Sequence, residues 1–144
     1  MLDNIKAMLI RHEGIVCNVY LCSEGYKTIG VGRCLDTNGI TRDEANYLLE
    51  NDIKRVEQEL NENFGAWRTF PEKARMVCID MTFQMGIVGF CRFIKTKKLM
   101  EDNNWLEASE EILRSKYATV QTPTRAAYNS RQLALCQQNQ QKTI

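Results

Sequence analysis

Glu13 stands at the end of a short apolar-periodic segment, immediately before Gly14. Eight residues separate it from Cys22, and five separate Cys22 from Thr28. A carboxyl, a thiol and a hydroxyl are thus strung along the passage from a helix into a glycine-punctuated stretch. A carboxyl held at such a junction can sit in a cleft, where loss of water disfavours its charged form; that suits a general acid. The alternative is a surface Glu at a helix C-terminus, a slightly unfavourable place for an anion. Other chemistries find no support. Gly30-Val31-Gly32 opens like a dinucleotide fingerprint, but position 35 is Leu and no βαβ unit follows. There is no Walker loop and no Gly-x-Ser-x-Gly elbow. The six cysteines form no Cys-x-x-Cys pair, and His12 is the one histidine, so a zinc site is not expected.

The elements that must position these groups read as follows. Asp3 to about His12 is a helix, with Leu2, Ile5, Leu9 and Ile10 at helical spacing, and Gly14 ends it. From Val16 to Leu35, β-branched and aromatic residues alternate with glycines, which predicts two or three short strands with Ser23-Glu24-Gly25 as the first turn. Asp36 to Gly39 is a further turn. Thr41 and Glu44 have the spacing of a capping box, opening a long helix to about Leu60 that can bridge two lobes. Further helices are expected from Pro71 to Gly86, from Gly89 to Met100, from a cap at Asn104 to Leu113, and from Thr122-Pro123 to about Gln138. The polar run Gln137–Gln141 is expected to fray. Strands gathered near one end and helices elsewhere argue for an α+β fold.

Composition bounds the rest. A chain of 144 residues fits one domain and can bury a sizeable core without disulfides or a structural metal. With 44% hydrophobic and 26% charged residues it is an ordinary globular sequence. The net charge is +1, but from Arg114 onward there are only basic charges, including Lys116, Arg125, Arg131 and Lys142. A basic segment of this kind suits an anionic polymer or simply solvent; no nucleic-acid motif accompanies it. The cysteine spacings match no secreted framework, and reduced thiols in a cytoplasm are expected. Charges at Asp3, Lys6 and Arg11 interrupt any leader-like apolar run, and no segment reads as a membrane span. Trp67 and Trp105 read as packing residues.

Several blocks in order resemble the T-even phage-type lysozymes, glycoside hydrolase family twenty-four. They are Arg11-His12-Glu13-Gly14, Tyr20, Ser23-Glu24-Gly25-Tyr26-Lys27-Thr28-Ile29-Gly30-Val31-Gly32, Thr41 to Ala45, Phe83 to Gly86, and Gln121 to Ala126. Glu13-x8-Cys22-x5-Thr28 matches the family's catalytic spacing of Glu, Asp or sometimes Cys, and Thr. The resemblance implies a mainly helical lysozyme-like fold. A small β-containing lobe (about 14–60) and a larger helical lobe (about 1–13 plus 61–144) would be joined by a long helix. It implies cleavage of the β-1,4 bond between N-acetylmuramic acid and N-acetylglucosamine. Glu13 would be the general acid, Thr28 would hold the attacking water, and Arg125 would orient Glu13. Cys22 completes the catalytic set, and Glu24, Phe83, Gln84, Tyr117 and Arg125 would bind substrate. No cofactor or metal is implied. The implied partner is peptidoglycan glycan strands, with no nucleic acid and no membrane insertion. The protein would be a monomer in the host bacterial cytoplasm, released through a holin to act on the periplasmic wall.

Three departures accompany the resemblance. Cys22 replaces the usual Asp; a thiol is mostly neutral at pH 7, whereas a thiolate could activate water or attack the sugar carbon. Arg33 stands where the family often has His, with Asp52 as its expected partner. The β-unit is trimmed between Gly32 and Thr41. Two rivals stay open at this point: a lytic transglycosylase, which uses no water, and a non-catalytic wall-binding protein on the same fold. Joint retention of Glu13, Thr28 and Arg125 argues against loss of catalysis.

Overall fold

The structure is a computed structural model that describes the backbone of residues 1–141 and the side chains of residues 1–138. The chain forms two compact units, Met1–Leu48 and Leu49–Ile144. The first helix therefore belongs to the N-terminal unit, whereas the sequence reading assigns it to the helical lobe. Lys142 and the side chains of the polar tail beyond Gln138 lie outside the described residues.

In the N-terminal unit, α1 (Leu2–Glu13) ends at Gly14, whose φ of 76° supplies the left-handed turn out of the helix. Three antiparallel strands follow in a meander: β1 (Val16–Leu21), β2 (Lys27–Gly30) and β3 (Arg33–Cys34). Tyr20 and Cys34 flank Thr28 in register, so the three side chains share one sheet face. A register irregularity between Val16 and Tyr20 interrupts the β1–β2 ladder. The expected turn at Asp36–Gly39 is instead a single helical turn, α2 (Leu35–Asn38). Asp36 binds the β-unit by accepting the Lys27 amide at 2.8 Å.

The long helix α3 (Arg42–Asn63) starts as the capping box requires. The Glu44 amide donates to Thr41 Oγ1 at 3.1 Å, and the Thr41 amide donates to Glu44 Oε2 at 3.0 Å. Glu44 has a second task. Both its carboxylate oxygens accept from Arg33, at 2.9 and 2.8 Å. The Arg33–Asp52 pair suggested by the resemblance is therefore corrected: Arg33 pairs with Glu44, and Asp52 pairs with Arg55 on its own helix at 2.9 Å. Proximity decides the choice, because the trimmed β-unit brings Arg33 beside the helix N-terminus.

The C-terminal unit holds the core. After a 3-10 turn at Gly65–Thr69 come α4 (Glu72–Cys91), α5 (Ile94–Glu101), α6 (Trp105–Leu113), a π-helical turn (Tyr117–Gln121) and α7 (Pro123–Gln141). Gly86, expected to end a helix, breaks α4 with φ 76° and ψ 164°. The next break falls at Phe93, so α5 starts later than the expected Gly89. Asn104 occupies the N-cap of α6 without a capping hydrogen bond. α7 runs through the polar tail to Gln141.

Leu60, Val77, Cys78, Met81, Phe90 and Met100 are buried, along with Trp105, Ile112 and Leu133. Trp67 and Trp105 are buried as packing residues; Trp105 meets Phe70 edge-on at 5.1 Å between ring centroids. α4 is long and apolar enough to cross a membrane by length and a mean hydropathy of 1.2 alone, contrary to the expectation that no segment would be. Its apolarity has a partner within the unit: Ala74, Val77, Cys78 and Met81 form one buried face at helical spacing.

Candidate active site

Glu13 is the last residue of α1 and is exposed, not desolvated as its place at a junction suggested. Its carboxyl lies over Gly32 in the β2–β3 turn. A Cβ built on Gly32 would stand 3.1 Å from Glu13 Oε2. The helix end thus delivers the carboxyl onto the same short sheet that carries Thr28.

Cys22 and Thr28 are brought together. Cys22 closes the turn after β1, where its amide donates to the Tyr26 carbonyl at 2.9 Å and its carbonyl accepts the Gly25 amide at 2.9 Å. The Tyr26 and Glu24 amides, and to a smaller degree the Thr28 hydroxyl, stand where they favour the thiolate form of Cys22 and hold its thiol below the ordinary value. Burial and the Glu24 carboxylate oppose this without cancelling it. Glu24, expected to bind substrate, lies in the same turn as Cys22 with its side chain exposed. Thr28 is only 3% exposed, and its hydroxyl donates to the Tyr26 carbonyl at 2.9 Å. With one proton, that hydroxyl can serve either Tyr26 or a Cys22 thiolate, and it keeps lone pairs for a further donor.

Cys78 and Cys136 differ from Cys22. Burial pushes the Cys78 thiol far up and the Cys136 thiol up as well. Both sit in the core as small apolar groups.

In the C-terminal unit, Gln84, Tyr117 and Arg125 lie on one continuous hydrogen-bond network. Arg125, expected to orient Glu13, directs its fork to Asp80, with Nε to Oδ2 at 2.8 Å and Nη2 to Oδ1 at 2.6 Å. The Asn129 amide donates to Asp80 Oδ2 at 2.8 Å and to the Tyr117 hydroxyl at 2.9 Å. The Thr122 amide donates to the Tyr117 carbonyl at 3.0 Å, and the Thr122 hydroxyl accepts from Gln84 Nε2 at 3.1 Å. Burial would raise the Asp80 carboxyl, but the Arg125 and Asn129 hydrogen bonds outweigh it and the net direction is down. Burial also raises the Tyr117 phenol, keeping it a neutral donor.

Phe83 stands on the wall of an adjoining groove of about 410 Å³, with Ile53, Met76 and Ile79 as apolar neighbours and Asp80 and Arg125 at its edge. An apolar wall beside a few fixed polar groups is the usual composition of a small-molecule binding groove. Asp80 and Asn129 were not singled out from the sequence. Helical spacing offers the one available signal: Asp80 lies four residues before Gln84 and Asn129 four after Arg125, so each shares a helix face with an expected site residue.

A family model described as phage lysozyme matches residues 10–132. Among curated proteins, two relatives from Dictyostelium discoideum are "Probable T4-type lysozyme 1" and "Probable T4-type lysozyme 2". They are 28% and 29% identical, and each match covers 88% of this chain and 91% of the relative. The "Pre-baseplate central spike protein Gp5" of Enterobacteria phage T4 is 26% identical over 73% of this chain and 23% of its own length. A mainly helical α+β fold, the Glu–Cys–Thr spacing and a match spanning most of the sequence agree, and the chain belongs to the phage lysozyme family as a lysozyme-type glycoside hydrolase of peptidoglycan.

Proposed function

We propose that the enzyme hydrolyses the β-1,4 bond from N-acetylmuramic acid to N-acetylglucosamine, with Glu13 as general acid and a Cys22 thiolate as the charged partner. The observation that carries this reading is the turn around Cys22, whose amides and Thr28 hydroxyl stabilise a thiolate where the family usually has a carboxylate. Protonated Glu13 gives its proton to the glycosidic oxygen as the bond to the muramic-acid C1 breaks. Water adds to C1, and its proton passes to the thiolate. The negative sulfur offsets the positive charge that develops on the ring, which a neutral thiol cannot do. Thr28 holds the sulfur and the water in register. Phe83, Gln84, Tyr117 and Arg125 bind the glycan, with Arg125 and Tyr117 fixed by Asp80 and Asn129.

In its biological setting the protein is an endolysin. It acts as a monomer, waits in the host cytoplasm, and reaches the periplasmic wall through a holin-type pore, where it lyses the host. Mass spectrometry of fragments from purified Gram-negative peptidoglycan tests the chemistry, with Glu13→Gln as control. Reducing muramic-acid ends that vanish in the control are expected. Anhydro ends would replace hydrolysis by a transglycosylase step without water. Binding with no cleavage would leave a wall-binding protein.

A further inference from the structure

Six glycines of this chain have positive φ: Gly14, Gly25, Gly30, Gly32, Gly39 and Gly86. In five of them an added Cβ would meet nothing within 4 Å, so the turn itself accounts for the residue. Gly32 is the exception. Its added Cβ would lie 3.1 Å from Glu13 Oε2, 3.4 Å from Cδ and 3.6 Å from Cγ. Three consecutive atoms of one side chain converge on a single point, so the carboxyl and its stem rest across the bare Cα. The closest of these distances is tighter than ordinary carbon–oxygen contact, and the carboxyl would have to give way by a few tenths of an ångström.

We propose that Gly32 is a positioning residue for Glu13: the absence of a side chain there sets where the carboxyl lies. The helix end supplies the carboxyl, and the β2–β3 turn supplies the seat. Glu has three rotatable torsions, and within the N-terminal unit no hydrogen bond or ion pair restrains this one. Packing against Gly32 is what selects its rotamer. The consequence for catalysis rests on Glu13 being the general acid, because a displaced acid meets the glycosidic oxygen at the wrong distance; misplacement by about 1 Å can cost on the order of 100-fold in rate.

The test has two independent readouts. With ¹³C-labelled glutamate, the Glu13 side-chain carboxyl signal is followed by NMR in Gly32→Ala and in Gly32→Asn, the latter carrying the same Cβ on a residue type that tolerates positive φ. Gly39→Ala, with φ 55° and open space around its Cβ, is the control for backbone strain. Both Gly32 variants should shift the Glu13 signal, and Gly39→Ala should not. In assays on soluble glycan fragments, both Gly32 variants should lower kcat roughly 10- to 100-fold with KM nearly unchanged. In a Glu13→Asp background, where the shorter side chain withdraws from the added methyl, Gly32→Ala should cost much less. An unmoved Glu13 signal, or the same loss in both backgrounds, would overturn the positioning role. A shifted signal with unchanged kcat would instead remove Glu13 from catalysis and leave the packing relation standing.

Discussion

Cys22 is the residue on which the chemistry turns. A lowered thiol value predicts its reactivity directly. The rate of iodoacetamide labelling at Cys22 should rise with pH to a midpoint below that of an ordinary thiol, while Cys78 and Cys136 in the folded protein stay unlabelled. Labelling followed site by site with mass spectrometry checks this, and activity should fall in step with Cys22 modification. Cys22→Ser, which cannot carry the charge at neutral pH, should lower kcat by about tenfold or more; full activity would make the thiol a passive small residue. Asp80 makes a separate prediction about stability. Its carboxyl is lower in the folded chain than in the unfolded one, so its contribution is complete above the ordinary carboxylate value, near 4. That contribution disappears as pH falls through the folded value. Because the pair with Arg125 is about one-third exposed, Asp80→Asn should cost only about 1 kcal/mol at pH 7. Denaturant melts should show the variant and the parent converging as pH drops below 4.

At the scale of elements, the start of α3 links local sequence to the β-unit. Thr41 and Glu44 close a reciprocal cap, and the same Glu44 carboxylate receives the fork of Arg33 from β3. Arg33 holds the Glu44 carboxyl below the usual range, with help from the Thr41 amide. Glu44→Ala therefore removes a cap partner and a cross-element tie together. Thr41→Ala removes only the cap and should cost about 0.5–2 kcal/mol. Glu44→Ala should cost slightly more than Thr41→Ala, since it also removes an ion pair that solvent screens on both sides. Thermal unfolding of the two variants and the double variant gives the coupling; strict additivity would mean that Glu44 does not serve both partners at once.

For the molecule as a whole, burial is uneven. Within Met1–Leu48, Thr28 is the one buried residue, whereas the C-terminal unit carries the continuous apolar core. Small units with few buried apolar groups open at low free energy. Amides of β1 to β3 should therefore exchange with solvent orders of magnitude faster than those of α4, α6 and α7, which hydrogen-exchange mass spectrometry resolves. A cavity in the core reads the other unit: Leu60→Ala, at a position with no exposure, should destabilise it by about 2–5 kcal/mol. A small loss there would show that this part of α3 is not integral to the core.

Much of this protein is legible from local pattern alone. Helix periodicity, the capping box at Thr41 and Glu44, the glycine-punctuated strands and the break at Gly86 all depend on neighbours a few residues away, and such signals survive in a linear reading. The spacing of Glu13, Cys22 and Thr28 is likewise a sequence property. Partner choice is not. Arg33 selects Glu44 over Asp52, and Arg125 takes Asp80, because a guanidinium pairs with whatever carboxylate the packed chain places within about 3 Å. The same holds for Gly32. Its positive φ follows from a turn, but the carboxyl that covers it comes from a helix end nineteen residues earlier, and only the folded chain brings the two together.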